Sequence, residues 1–236
     1  MKLLSIAIIA LSLGLPAFAD NETDATSTSV TPVNDILPIW QPTDVTQINF
    51  KVLRKGKPFG RHIINFQPDG NGGFTATNDI DLKVKFGPIT AYSYRHDSVE
   101  TWKDGRLVGL EAKTHKEGGD LVAKASLGED GLSVTGTNYS GTYRSDIVPA
   151  THWNIGQLYR DTMLSTEGGQ ALDVMVENLG RETLTIDGEE ITATKFKLVS
   201  DLTVFLWYDD NGRWVRLDFT ARGDQKIEYI LEDLYG

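Results

Sequence analysis

From Ile48 onward the apolar positions recur with a period of two. Ile48, Phe50 and Val52 alternate with Asn49 and Lys51, and Ile80, Leu82, Val84 and Phe86 alternate with Asp79, Asp81, Lys83 and Lys85. The rhythm returns at Leu121, Ala123, Ala125 and Leu127, at Leu172, Val174 and Val176, and at Val215, Leu217 and Phe219. Such alternation sends one side of a strand into an apolar interior and the other into water. Turn signals divide the runs: Lys57-Pro58, Asp69-Gly70-Asn71-Gly72, Gly87-Pro88, Asp104-Gly105, Gly118-Gly119, Asp130-Gly131, Asp187-Gly188 and Asp210-Asn211-Gly212. Asp-Gly and Asn-Gly supply the positive φ angles of tight hairpins, so neighbouring strands are expected to run antiparallel. The pattern predicts one all-β domain over residues 48–236, with about a dozen antiparallel strands in a curved sheet forming a half-barrel or barrel.

One stretch breaks the rhythm. Residues 149–169 hold His152, Trp153, Ile155, Leu158, Tyr159, Met163 and Leu164 without alternation. Spacings of three to four among Ile155, Leu158 and Tyr159 allow one or two helical turns. A short helical or irregular segment that crosses or plugs the curved sheet is the expectation.

The chain begins differently again. Residues 1–19 carry one early positive charge at Lys2, an apolar run from Leu3 to Leu15, then Pro16 and Ala17-Phe18-Ala19. That order is a secretory signal with an A-x-A cleavage site, and its apolar core is short for a membrane span. No transmembrane segment is expected once it is removed, and the expected location is the bacterial periplasm or beyond. Residues 20–47 read as a flexible acidic leader with clustered Ser and Thr, with Pro32, Pro38 and Pro42, and with no Lys or Arg. Ile36, Leu37, Ile39 and Trp40 inside it offer a tie to the domain surface.

Composition narrows the chemistry. The 236 residues include no Cys, which removes disulfides, thiol nucleophiles and Cys-based metal sites. A net charge of −10 opposes binding to nucleic acid phosphates or an anionic membrane. No nucleophile elbow, zinc-protease helix, P-loop or dinucleotide motif occurs. Asp69-Gly70-Asn71-Gly72 and Asp209-Asp210-Asn211-Gly212 contain calcium-friendly residues but lack the closing Glu of a calcium loop, so turn chemistry explains them better. No metal or cofactor is expected.

Four histidines remain: His62, His96, His115 and His152. His62 shares parity with Ile64 and Phe66, and His96 with Tyr92 and Tyr94, which turns both inward; His115 is expected in water. His96-Asp97-Ser98 has the residue types of a hydrolase triad, yet adjacent strand residues point to opposite faces. The hairpin Leu206-Trp207-Tyr208-Asp209 through Trp214-Val215 is the most aromatic signature. The candidate ligand-binding residues are therefore Tyr92, Tyr94, His96, His152, Trp153 and Trp207, with no catalytic set assigned.

Phe50-Lys51-Val52-Leu53, Gly56-Lys57-Pro58-Phe59-Gly60, Thr151-His152-Trp153-Asn154 and Leu206-Trp207-Tyr208-Asp209 through Trp214-Val215 carry a resemblance. Over Ile48 to Leu231 the chain resembles an uncharacterised domain-of-unknown-function family of exported proteobacterial proteins. That family is similar in layout to the periplasmic half-barrels LolA and LolB, which wrap an antiparallel sheet around an apolar cavity closed by helices. The resemblance implies a half-barrel but no catalytic residues, and the lipid-anchoring Cys of LolB-like proteins is missing. The leading expectation is a non-catalytic carrier or binder of an apolar or amphipathic small molecule or lipid. A cell-envelope hydrolase using His96 or His152, and a purely structural or interaction protein, are the alternatives; a small membrane barrel fits poorly, because Val204 to Tyr208 is apolar on both faces.

Cleavage is predicted after Ala19. Intact mass of the exported protein should place Asp20 first; a mass that retains residues 1–19 overturns the reading.

Overall fold

The structure, a computed structural model, describes residues 37–233 apart from 44, 87–88, 118 and 222. The expected signal segment, residues 20–36 of the leader, and the Gly87-Pro88 turn lie outside the described residues, as does Gly118.

Strands β1 (Gln47–Arg54), β2 (Lys57–Pro68), β3 (Gly73–Phe86), β4 (Ile89–Lys103), β5 (Arg106–Lys116), β6 (Gly119–Gly128), β7 (Gly131–Gly136) and β8 (Ser140–Tyr143) meander outward from β1. After a crossover, β12 (Met175–Ile186), β13 (Glu189–Val199), β14 (Thr203–Asp209), β15 (Trp214–Ala221) and β16 (Gln225–Leu231) meander back from the opposite edge. β16 pairs antiparallel with β1, Val52 opposite Tyr229, so the first and last strands lie side by side in the middle of one 13-stranded sheet. Every neighbouring pair in that sheet is antiparallel, and the sheet is curved without closing into a barrel, with β12 and β8 as its edges. All-β architecture and antiparallel pairing are as the alternation required.

The hairpins follow from turn chemistry. Lys55-Gly56, Asp104-Gly105 and Asp187-Gly188 each have two successive positive φ angles, from 50° to 80°, as two-residue hairpins of the primed type demand. The first of these corrects the expected break at Lys57-Pro58, which instead opens β2 beside an irregularity in the pairing at Val52/Leu53. Proline is tolerated there because the first residues of a strand need not complete the ladder. At both longer acidic turns the leading aspartate folds the loop. Asp69 Oδ1 accepts from the Asn71 and Gly73 amides at 2.7 and 2.9 Å, and Asp209 Oδ1 from the Asn211 and Arg213 amides at 2.9 Å each.

The crossover fills the concave side. It comprises β9 (Val148–Pro149), a 3-10 turn at Ile155–Tyr159 capped by Asn154, β10 (Thr162–Leu164) and β11 (Ala171–Asp173), the three strands forming a small separate sheet. The irregular segment is thus a single 3-10 turn between short strands. At one end the Asn138 amide donates to Gly168 O at 2.9 Å, and a Cβ on Gly136 would collide with that same carbonyl, so glycine permits the approach to β7. At the other end Trp153, 1% exposed, sits among Trp40, Phe66, Phe74 and Trp102 with ring centroids 5.2–6.4 Å away. Leu37 and Trp40 are buried with it, Ile39 is exposed, and a Cβ on Gly212 would strike Pro38 O, so residues 37–40 lie against the β14–β15 turn.

Trp153→Ala is expected to cost about 3–5 kcal/mol in chemical denaturation, because it empties a closed aromatic cluster. Val122→Ala on the outer face should change stability by less than about 0.5 kcal/mol. A Trp153→Ala cost below about 1 kcal/mol would mean that the crossover is not part of the core.

Candidate functional site

Alternation places Tyr92, Tyr94, His96, Ser98, Glu100 and Trp102 of β4 on one face, and all six are buried. The lower half of that series is polar and is satisfied internally. Glu100, 0% exposed, accepts from Asn78 Nδ2 (3.1 Å), Trp102 Nε1 (2.9 Å) and, across the fold, Trp153 Nε1 (3.2 Å). Burial pushes its carboxyl up to about 7 despite those donors. Asn78 Nδ2 also donates to Ser98 Oγ at 3.1 Å, which leaves Asn78 Oδ1 facing His62 Nε2 at 3.4 Å. Tyr94 donates its hydroxyl to Glu167 of the crossover at 2.8 Å, and Lys116 of β5 reaches the same carboxylate at 2.6 Å. Burial and the adjacent Glu167 carboxylate raise the Tyr94 phenol well above its ordinary range.

Three histidines converge on this interior. His96 Nδ1 lies 2.8 Å from Thr114 Oγ1, and its Nε2 lies 3.3 Å from Thr166 Oγ1 of the crossover. His152 Nδ1 faces Gln157 Oε1 at 3.1 Å, and its backbone has φ 64°, a conformation that disfavours non-glycine residues. Tyr208 holds that strained carbonyl with a 2.7 Å hydrogen bond. Trp214 lies between the other two rings, its centroid 5.6 Å from that of His62 and 5.7 Å from that of His152. Desolvation lowers His62 to about 3 and both His96 and His152 to about 4, so all three are neutral at pH 7.

A partly enclosed, mainly apolar cavity of about 100 Å³ lies between these groups. Ile80, Leu82, Tyr94 and His96 line it from one half of the sheet, and Leu198, Val204, Trp214, Leu217, Phe219 and Tyr229 from the other. His152, Met163, Thr166 and Glu167 line it from the crossover. Among the described residues, no Lys or Arg lines it. A second cleft, of about 300 Å³, is bordered by Trp102, Trp153, Asp104, Arg106, Asp146 and Arg160. Among the described residues no group of His, Asp and Glu is placed to hold a metal ion.

Of the six candidates from the sequence, Tyr94, His96 and His152 come together at the cavity. Tyr92 packs against Phe59, 5.8 Å between ring centroids, and does not line it; Trp153 borders the second cleft. Trp207 is on the opposite face of β14 from Leu206 and Tyr208. There its ring lies under Lys195 (4.7 Å) and Arg216 (5.1 Å), and its Nε1 donates to Glu182. Trp207 is 3% exposed because long charged side chains cover it, a form of burial that apolar patterning does not encode. Asn78, Ser98, Glu100, Glu167 and Lys116 were missed. Polar residues at inward parity were the available signal for Ser98 and Glu100, since such positions must find partners. His115 is exposed beside Asp120, as its strand-end position suggested.

Fold and site together define an all-β, barrel-like protein whose open concave sheet is plugged by its own crossover. The chain belongs to a domain family of unknown function, DUF6134, which matches residues 50–232. Among solved structures it is similar to the beta-barrel-like protein of domain of unknown function DUF1849 from Brucella abortus. That likeness has a TM-score of 0.56 and 12% identity, covering 80% of this chain and 97% of that one. It also matches a "putative lipoprotein" from Parabacteroides distasonis at TM-score 0.33 and 13% identity, over 84% of this chain and 99% of that one. No curated protein matches it in sequence. Among the described residues no helix is long and apolar enough to cross a membrane.

The buried titrating groups set an acid limit on stability. A neutral buried imidazole takes up a proton on unfolding, so each of the three histidines withdraws stability as pH falls below about 6.5 toward its folded value. Glu100 opposes them, because the folded state holds its proton up to about 7. The net uptake on unfolding is about two protons, so stability should rise by about 2–3 kcal/mol per unit between about pH 5 and 6 and level off above about 7. Urea denaturation across pH 5–8 measures this; a flat profile below pH 6.5 would mean that the histidines are not held neutral.

Proposed function

We propose that this is a non-catalytic binding protein of the bacterial periplasm whose concave face holds the apolar end of an amphipathic small molecule or lipid. The observation that carries the reading is the mainly apolar cavity formed jointly by both halves of the sheet and the crossover, at which Tyr94, His96 and His152 meet. Its size sets the scale: an apolar cavity of about 150 Å³ accepts benzene, so this one encloses a short terminus while the rest of the ligand extends beyond it. The signal at residues 1–19 supports export.

A cell-envelope hydrolase has less support. The ring partners of His96 are two threonine hydroxyls and that of His152 is an amide, so neither imidazole is oriented by a carboxylate as a general base would be.

Protein isolated from its native host is expected to release an amphipathic molecule on denaturation, detected by native mass spectrometry and extraction. Leu198→Trp, which fills the cavity, should lower the recovered amount by about tenfold at matched folding, whereas Arg95→Ala on the outer face should not. An unchanged yield from the filled variant, or no release from the unaltered protein, overturns the proposal.

A further inference from the structure

The hydrogen bonds around the cavity determine which edge of each imidazole carries the proton. Glu100 and Ser98 accept both donors of the Asn78 amide, so Asn78 Oδ1 is the acceptor facing His62 Nε2. His62 Nε2 therefore carries the hydrogen, and Nδ1 is a bare acceptor. His62 is 4% exposed, lines the cavity, and its Nδ1 has no hydrogen-bond partner among the described residues. The same logic holds for His152. Gln157 Nε2 donates to Tyr208 Oη at 2.8 Å and to His152 O at 3.4 Å, so Gln157 Oε1 accepts from His152 Nδ1 and Nε2 is left as the acceptor.

Two imidazole acceptors thus flank Trp214 in an apolar cavity whose lining, among the described residues, includes no cation. His62 Nδ1, buried without a partner among the described residues, forfeits the hydrogen bond it would make with water unless a ligand replaces it. A carboxylate or phosphate would have to shed its hydration in an apolar site where the nearby Lys116 is already paired with Glu167. An ammonium would have to shed its hydration in an apolar site.

We infer that the cavity selects ligands that present an uncharged hydroxyl, with the O–H donating to His62 Nδ1 or His152 Nε2 and an aliphatic segment packed against Leu198, Leu217 and Phe219. This deepens the binding reading above and rests on it. The low protonation range of both histidines is consistent with rings that accept at neutral pH.

The test uses the mature protein with four small probes: n-butanol, its isomer methoxypropane, which lacks an O–H, butyrate and butylamine. Binding is read from side-chain methyl NMR shifts of the cavity leucines, and acceptance from the imidazole nitrogen shift of His62. Butanol is expected to bind about tenfold tighter than methoxypropane, as loss of one hydrogen bond to a buried acceptor implies, and to bind tighter than either charged probe. The non-protonated His62 nitrogen should move with butanol and stay in place with methoxypropane. His152→Gln, which keeps an acceptor, should retain more of the butanol preference than His152→Leu. Equal binding of butanol and methoxypropane, or a His62 nitrogen unmoved by butanol, overturns the hydroxyl inference while leaving the binding reading intact. Tighter binding of butyrate or butylamine also overturns it. Failure of all four probes to bind overturns both.

Discussion

The Glu100 carboxylate is the contact around which the interior is organised. It has no exposed surface, and it ties β3 through Asn78, β4 through Trp102 and the crossover through Trp153. A buried carboxyl costs several kcal/mol unless its oxygens are met by donors, so its three partners must be delivered together or the site collapses. The requirement is geometric. Trp153 can reach Glu100 only if the crossover enters the concave face, and its ring then closes the aromatic cluster with Trp40, Phe66, Phe74 and Trp102.

The topology requires a long crossover, and here it enters the concave face. β8 ends at one edge of the sheet and β12 begins at the other, so residues 144–174 must span the sheet before the second meander starts. Burying a connection obliges its backbone and side chains to find partners, which the small sheet, the Asn154 cap and the Gly168–Asn138 contact provide. The crossover is therefore both the plug of the open sheet and one wall of the cavity. Its strained residue, His152, is held by Tyr208 from β14, so the wall is braced against the returning meander.

The polar groups inside are matched to an uncharged interior. Three imidazoles are kept neutral by burial, and the internal cation near the cavity, Lys116, is consumed by Glu167. What remains is an apolar space with imidazole acceptors and a few hydroxyls, Thr151 and Ser200 among them, unlike the cationic clefts that attract phosphates or the carboxylate-oriented histidines of hydrolases. The cavity is also small beside a whole lipid. The interior is largely packed by the side chains of both meanders, Phe50, Trp214 and Tyr229 above all, which leaves room for the end of a molecule and not its length.

Period-two patterning and Asp-Gly turns determined the all-β class, the antiparallel pairing and the inward orientation of Tyr94, His96 and His62, because strand parity is a local property of the backbone. The break in rhythm at 149–169 likewise marked the crossover. The sequence by itself did not say that β16 would seat against β1, that Glu100 would meet Trp153 some fifty positions on, or that Trp207 would be covered on the outside. Those outcomes depend on which edge of the sheet the chain returns to and on which long side chains fold over a ring. Both are long-range choices, made only when the whole interior packs at once.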